Sequence, residues 1–500
     1  MSDSPLRPNV VLATCCLSLL LVMMDVTIVN VALPSIRADL GGRFSTLQWV
    51  VDAYTLVVAS LLVLAGSTAD RIGRRRVFVT GIATFCTGSV LCGLAPSALA
   101  LVLARGFQGL GGAMLNPVAL SIIANVFTAP GARARAIGMW GAMSGVALAL
   151  GPLAGGVLTT YAGWRAVFWV NVPVGLLAIW LSLRFIPESR AVRARAIDVP
   201  AQLLVALTLA AVTAALIEVR DYGWGAPAID AGLVLAGLGV AALVVVERRR
   251  AQPLLDVRFF RALPFTCAIL IAICAFAIFS AFLFLNTLYL QDVRGLSPLH
   301  AGLCTLPFAL GVMVCAPLSG RLVAARGARL PLLLSAAGLG GGALLLTGLA
   351  DATPLGLLAV SYGLCGCGFG LCNAPITNAA VSGMPRDQAG LAAALASTSR
   401  QVGALLGIAV SGTMTASAMA GAGMGAGGDR VAMTLLSLAS HRVWWGVVAL
   451  AGFIAWLGLL STGARARASV LAVRAVLESG APPARGIRPG QRTESTPPST

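Results

Sequence analysis

Long apolar stretches alternate with short polar segments over most of the chain. Each stretch is long enough for an α-helix to cross the hydrocarbon core of a bilayer, which takes about 20 residues. Backbone groups in lipid must be hydrogen-bonded within the protein, so the pattern predicts helices rather than open strands. The predicted spans are fourteen: 10–33, 46–66, 77–95, 98–125, 136–160, 166–185, 199–218, 228–246, 264–289, 299–320, 330–350, 354–380, 388–418 and 442–462.

Composition supports a membrane protein and excludes several function classes. Of the 500 residues, 58% are hydrophobic and 11% are charged, whereas a soluble domain is about a quarter charged. This excludes a soluble enzyme, a disordered chain and a coiled coil. All 35 basic residues are Arg, so the chain lacks the Lys of a Walker phosphate loop. We therefore expect no nucleotide-driven step, no enzymatic activity, no cofactor and no metal site.

The distribution of the arginines predicts the orientation. With the N-terminus inside, 26 of the 35 arginines lie in cytoplasmic loops and tails, seven lie in exterior loops, and Arg105 and Arg400 lie within spans. Such an excess is typical of cytoplasmic loops. The net charge of +17 thus indicates that both termini are cytoplasmic, and it gives no reason to expect nucleic acid as a partner.

Two segments of the chain repeat each other. Asn116-Pro117 in span 4 is matched by Asn373-Ala374-Pro375 in span 12, and Gly66 and Gly73 have the same spacing as Gly320 and Gly327. Two related helical halves with a site at their interface are typical of secondary transporters. The predicted organisation is a six-helix half at 1–190, two inserted helices at 191–262, a second six-helix half at 263–462, and a mostly disordered tail at 463–500, of which 464–478 could form an interfacial helix.

Three charged residues lie within spans of the first half. Asp25, Asp52 and Arg105 each fall on the order of 9–12 Å from the exterior end of their span, at 1.5 Å per residue. They could therefore share one layer, and intramembrane charges are usually functional. An acid beside a cation at that depth could exchange a proton, so we predict Asp25 as the main coupling carboxylate, modulated by Arg105. Asp52 is nearer the interface, where a structural or solvated role is almost as good an interpretation.

Several stretches resemble one family over nearly the whole chain before the tail. The chain is similar to the major facilitator superfamily, specifically to the fourteen-spanner drug/proton antiporters of the QacA/EmrB type. The resemblance implies an all-α polytopic membrane protein in which two six-helix halves flank two inserted helices. The matching stretches are MDVTIVNVALP (24–34), QWVVDAY (48–54), GSTADRIGRRR (66–76), RGFQG (105–109), GPLAGG (151–156), Trp164-Arg165, Asn171-Val172-Pro173, Tyr289-Leu290-Gln291 and Ser297-Pro298.

The loop at 66–76 resembles the family's conformational latch. There the acid at the position of Asp70 meets the N-terminus of a helix in the other half, which here would be near Gln388 and Ala389. Neutralisation of Asp70 by neighbouring arginines is the alternative. From the residues alone, Gly66 would allow close helix approach and Gly73 a tight turn. The latch residues are Gly66, Asp70, Arg71, Gly73, Arg74 and Arg75.

Span 5 resembles the family's antiporter helix with one departure. The family has Gly where this chain has Ala147, which is still a small residue. Small residues allow close helix packing. Pro152 removes one backbone hydrogen bond of the helix and bends the span. Ordinary tight packing explains the pattern too, and the resemblance adds control of leak between the halves. The residues are Gly138, Ala147, Gly151, Pro152, Gly155 and Gly156.

Four polar residues are candidates for lining a substrate path: Asn30, Gln108, Asn116 and Arg400. Hydrogen bonds between packed helices would explain the uncharged three equally well. Some relatives in the family that the chain resembles use additional acids in late spans for multivalent cationic drugs. Spans 9–14 contain no acid well inside the membrane, so the resemblance favours neutral, zwitterionic, anionic or monocationic lipophilic substrates. A cluster of aromatic residues at 276–289 could line a cavity or face lipid or a neighbouring helix.

The leading functional hypothesis is proton-driven efflux of hydrophobic small molecules, such as drugs and antibiotics, by alternating access. The partners would be the substrate, protons and the lipid bilayer, and the protein would act as a monomer in a bacterial cytoplasmic membrane. Two alternatives remain open. One is dedicated export of a single endogenous metabolite or lipid, and the other is a membrane sensor that transports nothing.

Overall fold

The computed structural model describes residues 7–41, 43–190, 198–223, 225–249, 257–350, 352–381, 384, 389–421 and 429–478. Over these residues it is helical and contains no strand. The helices are α1 (Pro8–Leu40), α2 (Phe44–Ile72), α3 (Arg74–Gly93), α4 (Ala98–Val126), α5 (Pro130–Ala162), α6 (Ala166–Trp169), α7 (Asn171–Phe185), α8 (Val199–Tyr222), α9 (Pro227–Arg249), α10 (Leu263–Leu288), α11 (Pro298–Cys304), α12 (Leu306–Arg326), α13 (Arg329–Leu346), α14 (Leu355–Val381), α15 (Ala389–Gly421), α16 (Asp429–Leu460) and α17 (Ala464–Glu478).

The prediction of fourteen spans is confirmed, because fourteen segments among the described residues are long and apolar enough to cross a membrane. Many helices run further than their apolar stretches. Helix α1 continues to Leu40, and α16 begins at Asp429, 13 residues before the predicted start at 442. Hydropathy marks only the lipid-embedded part, whereas backbone hydrogen bonding continues beyond it. Span 6 consists of α6 and α7, and span 10 of α11 and α12.

The two six-helix sets pack in the same order. In the first set α4 lies between α2 and α3, α1 packs along α5, and α3 also contacts α7. In the second set α14 lies between α12 and α13, α10 packs along α15, and α13 also contacts α16. The predicted repeat thus has the same helix neighbours in both halves, although the domain boundaries at 190, 262 and 462 stay predictions.

The inserted helices α8 and α9 pack against each other, and α8 also contacts α2 of the first half and α15 of the second. In the apolar part of α9 only 11% of the residues are buried. Its exposed side chains include Val234, Leu235 and Leu238, a surface that suits lipid contact. Helix α17 follows α16 and contacts α10; residues 479–500 of the predicted tail lie outside the described residues.

The halves meet along a seam that is closed toward one membrane face. We call the face at which α1 begins and α16 ends the terminal face, and the other the opposite face. At the opposite face Arg37 Nη2 lies 2.8 Å from Asp292 Oδ2, and Gln291 Nε2 donates to the Val31 carbonyl at 2.7 Å. Gln48 Nε2 donates to the Ile408 carbonyl at 3.1 Å. These bonds join α1 and α2 to the second half at the opposite face.

Candidate functional site

Five polar side chains from four helices form a buried cluster in the first half. Each is 0% exposed. Asp25 on α1 accepts three hydrogen bonds: Arg105 Nη1 lies 2.6 Å from its Oδ2, and Gln108 Nε2 and Asn171 Nδ2 lie 2.9 and 3.0 Å from its Oδ1. Gln108 Nε2 also lies 2.8 Å from Ser89 Oγ on α3. The carboxylate is thus held by one cation and two amides.

Arg105 is further fixed by α2. Its Nε donates to the Val50 carbonyl at 3.1 Å, and its guanidinium lies 4.4 Å from the centre of the Tyr54 ring. Its Nη2 is buried and has no hydrogen-bond partner. Ion pairing, a backbone acceptor and an aromatic face together compensate part of the cost of burying a charge.

Glycines bring the helices of this cluster close enough for these bonds. Arg105 and Gln108 are three residues apart and therefore share a face of α4. A Cβ on Gly88 of α3 would lie 2.6 Å from Gln108 Cα, and one on Gly109 of α4 would lie 2.8 Å from the Tyr54 carbonyl oxygen. Larger residues would separate α3 and α2 from α4. The close spacing of these backbones therefore holds the Gln108 side chain within hydrogen-bond distance of Asp25 and Ser89.

Asp52 does not join this cluster. It is 0% exposed, so the interpretation of Asp52 as a solvated group is wrong. Both carboxyl oxygens are buried without a hydrogen-bond partner. Tyr54, two residues further along α2, faces the Arg105 guanidinium. Side chains two apart on a helix point in different directions, so that of Asp52 is directed elsewhere. Because burying an unpaired carboxylate is costly, a neutral carboxyl fits this position.

The loop that resembles a latch contains an ion pair within itself. Arg74 Nη2 lies 3.0 Å from Asp70 Oδ1, while the predicted contact near Gln388 lies outside the described residues. Gly73 has φ +126° and a Cβ there would lie 2.6 Å from Glu188 Oε1. Gly66 does not provide the predicted close helix approach in this arrangement, because a Cβ on it would make only an ordinary 3.8 Å contact with Pro117.

Glu188 was not among the predicted site residues. Its Oε1 accepts from the Arg75 backbone nitrogen at 3.1 Å in the first turn of α3, and its Oε2 lies 3.7 Å from Arg76 Nε. A carboxylate at a helix N-terminus is stabilised by the free N–H groups and the helix dipole. The acid after span 6 thus anchors the loop between spans 2 and 3. The only feature of the sequence that could have indicated Glu188 is its position in the polar segment after span 6.

The glycines of α5 lie in contact with both halves. A Cβ on Gly151 would overlap Thr27 of α1, and one on Gly155 would lie 3.0 Å from Ile28 Cγ1. On another side of the helix, a Cβ on Gly156 would lie 2.7 Å from Leu299 Cα of α11, and the Pro152 carbonyl lies against Gly302. Close packing therefore explains most of the predicted antiporter helix.

The other two residues of that pattern differ. Ala147 is fully buried, so its methyl group is accommodated where the family has Gly. Gly138 is exposed, and a Cβ on it would meet nothing within 4 Å. The expectation that Gly138 permits close packing is wrong for this arrangement of the halves.

The four predicted lining residues lie in different environments. Gln108 belongs to the buried cluster, and Asn30 is 2% exposed with its Nδ2 donating to the Val26 carbonyl of its own helix. Neither side chain therefore lines an open path in this arrangement. Asn116 and Arg400 are half-buried, and Asn116 Oδ1 has no hydrogen-bond partner. Arg400 donates to Thr377 Oγ1 at 2.6 Å.

Comparison with known proteins agrees with this fold. The model of the Major Facilitator Superfamily matches residues 15–408. The chain belongs to the Major Facilitator Superfamily. As a member of this superfamily it is a multi-pass membrane transporter and not an enzyme.

Relatives and solved structures are consistent with this assignment. The chain is 38% identical over 400 residues to the multidrug resistance protein Stp of Mycobacterium tuberculosis, covering 80% of this chain and 74% of that protein. It is 36% identical over 417 residues to the tetracenomycin C resistance and export protein of Streptomyces glaucescens, covering 82% and 76%. The crystal structure of a bacterial homologue of the lysosomal transporter Spinster, in an inward-facing and unoccupied conformation, has a TM-score of 0.66 at 18% identity, covering 95% of this chain and 99% of that one.

Proposed function

We propose that this transporter exports lipophilic small molecules in exchange for protons by alternating access. The observation that carries the proposal is the fully buried pair of Asp25 and Arg105. Ionisable groups inside a membrane bundle are costly and mark ion or substrate pathways. The names of the relatives, which refer to multidrug resistance and to antibiotic resistance and export, support drug efflux.

The proposed location in the cell rests on the distribution of the arginines and on the bacterial relatives. We place the protein in the cytoplasmic membrane of a bacterium with both termini inside, because its relatives are bacterial and its arginines lie mainly on that side. The terminal face is then cytoplasmic, and the seam is closed toward the exterior. The arrangement of the halves would be inward-facing. A reporter fused after residue 463 tests this orientation, since an exterior signal would contradict it.

Proton exchange at Asp25 would drive the cycle. In the closed-exterior arrangement the Asp25 carboxylate accepts from Arg105, Gln108 and Asn171, which fits the ionised form that has released its proton inside. In the outward-facing arrangement a proton from outside would neutralise Asp25 and favour return to the inward-facing one. Release of that proton to the inside would restore the ion pair with Arg105, because a buried cation without its partner is unfavourable, and would accompany substrate loading. Asp52, whose carboxyl has no hydrogen-bond partner, is the second candidate proton site.

The test is substrate-induced proton release in inverted membrane vesicles. With tetracenomycin C as the probe, wild type should release protons from the vesicle lumen and Asp25→Asn should not. Asp39→Asn is the matched control, because Asp39 lies on the same helix in an ion pair with Arg165 whose side chain is 40% exposed. Unchanged coupling in Asp25→Asn would reject Asp25 as the proton site. Probe transport without proton movement in wild type would reject antiport.

A further inference from the structure

Arg400 is the one charged residue that the sequence places well inside the spans of the second half. The segments 298–326, 329–346, 355–381 and 389–421 contain no Asp or Glu. Among the described residues no carboxylate lies within ion-pair distance of Arg400. Arg105 of the first half has Asp25, and Arg400 has no such partner.

The hydrogen bonds of Arg400 are incomplete. Its Nη2 donates to the Thr377 hydroxyl at 2.6 Å, and its Nε is buried without a hydrogen-bond partner. An Arg side chain carries five N–H donors and keeps its charge at any working pH. A cation inside a membrane bundle normally pairs with an acid or faces a water-filled cavity. No acid among the described residues pairs with Arg400, so an acceptor from outside the chain, either water or a ligand, would complete its hydrogen bonds.

Arg400 lies close to a contact between the halves. Five residues further along α15, Leu405 is buried in a cluster with Ala59 of α2 and Leu209 of α8. Arg400 lies on the terminal-face side of this contact. Its partner Thr377 is exposed although α14 is flanked by α10, α12, α13 and α15. The neighbouring helices therefore leave α14 uncovered at Thr377, beside Arg400.

Aromatic rings adjoin the guanidinium. Arg400 Cζ lies 6.0 Å from the centre of the Phe276 ring. Phe276 packs edge-on against Phe369 at 5.1 Å between centres, and Phe369 stacks on Phe279 at 4.5 Å. A cation bordered by aromatic faces matches a ligand with one anionic oxygen group and an apolar, ring-containing body.

We propose that Arg400, with Thr377 and the Phe276 ring, binds the carboxylate of an aromatic substrate during export. The proposal deepens the proposed function and rests on it for the word substrate. The forked guanidinium would take both carboxylate oxygens, and the aromatic body would lie against Phe276. The Thr377 hydroxyl, which donates to the Asn373 carbonyl at 3.1 Å, would hold the guanidinium in place by accepting from its Nη2. Exported compounds would then be lipophilic acids in preference to their neutral esters.

Binding can be measured without transport. The full chain is placed in nanodiscs of phosphatidylcholine, a lipid without net charge, and energy transfer from tryptophan to 1-pyrenebutyric acid and to its methyl ester reports binding. Empty nanodiscs give the background from partition into lipid. Wild type should bind the acid about ten- to a hundredfold more tightly than the ester, as a charged hydrogen-bond pair contributes.

Variants decide whether Arg400 causes the preference. Arg400→Gln should reduce the ratio to about one with ester binding unchanged, and Arg400→Lys should keep part of it because the charge remains. Arg321→Gln removes an exposed charge at the end of α12 and should leave the ratio as in wild type. Equal binding of acid and ester by wild type, or an equal loss of both in Arg400→Gln, would overturn the proposal.

The outcome is separable from that of the proposed function. A wild-type preference for the acid that depends on Arg400, together with transport of 1-pyrenebutyric acid into inverted vesicles without proton release, would keep the carboxylate site and reject antiport. Proton release with no preference for the acid would keep antiport and reject the site.

Discussion

The two halves share their helix order but differ in the surroundings of the arginine that each carries inside the membrane. In the first half Arg105 is fully buried, 2.6 Å from Asp25, within a cluster of five polar side chains. In the second half Arg400 is half-buried with one hydroxyl partner, and the centre is aromatic and uncharged. The same helix arrangement thus carries a compensated charge in one half and an uncompensated charge in the other. A compensated charge can be switched by a proton, and an uncompensated charge can attract a ligand.

The largest expected effect comes from removing the cation of the compensated pair. Arg105→Gln leaves Asp25 buried without its countercharge, which should lower the free energy of unfolding by about 3–5 kcal/mol. Arg400→Gln breaks no ion pair and should cost much less. Thermal unfolding of both variants in the same detergent measures the difference. The double variant Asp25→Asn, Arg105→Gln should recover most of the loss. Equal destabilisation by the two single arginine variants would contradict the comparison.

A smaller effect is expected from filling two tight helix contacts, one in each half. A Cβ on Gly88 would lie 2.6 Å from Gln108 Cα, and a Cβ on Gly338 would lie 2.9 Å from the Leu364 carbonyl oxygen. Each Gly→Ala change should lower the free energy of unfolding by about 1–3 kcal/mol through overpacking.

Only Gly88→Ala should also weaken proton coupling, because Gly88 packs against Gln108, which binds Asp25, whereas Gly338 packs against α14, which contributes no residue to that cluster. Proton release in inverted vesicles, normalised to the amount of folded protein, distinguishes the two variants. A similar loss of coupling in Gly338→Ala would mean that coupling is not confined to the first half.

The smallest difference concerns two buried asparagines. Asn171 Nδ2 donates to the Asp25 carboxylate at 3.0 Å, whereas Asn286 Oδ1 accepts from the neutral Tyr362 hydroxyl at 2.6 Å. Hydrogen bonds to charged groups contribute about 1.5–3 kcal/mol and neutral ones about 0.5–1.5. Asn171→Ala should therefore destabilise the protein by about 1 kcal/mol more than Asn286→Ala in paired unfolding measurements. The reverse order would show that the Asp25 site is less charged than its geometry indicates.

Much of the candidate site was accessible from the sequence, and some was not. Asp25 and Arg105 could be predicted because charges inside apolar spans stand out, and their equal depth indicated a pair. Ser89 and Asn171 are ordinary small polar residues on α3 and α7, and no local pattern directs them at Asp25. The sequence places Asp52 in the same layer but nearer the interface, and it could not show that the angle of Asp52 about α2 separates it from Arg105.

The sequence by itself determined the fourteen spans and the family. Lipid offers no hydrogen bonds, so each apolar stretch must satisfy its own backbone, and that requirement is local to the stretch. Only the tertiary structure decided which polar side chains meet. Their hydrogen bonds join helices far apart in the chain, across contacts set by glycines such as Gly88. The same distinction separates the two arginines, because whether a buried charge has a partner depends on every helix around it.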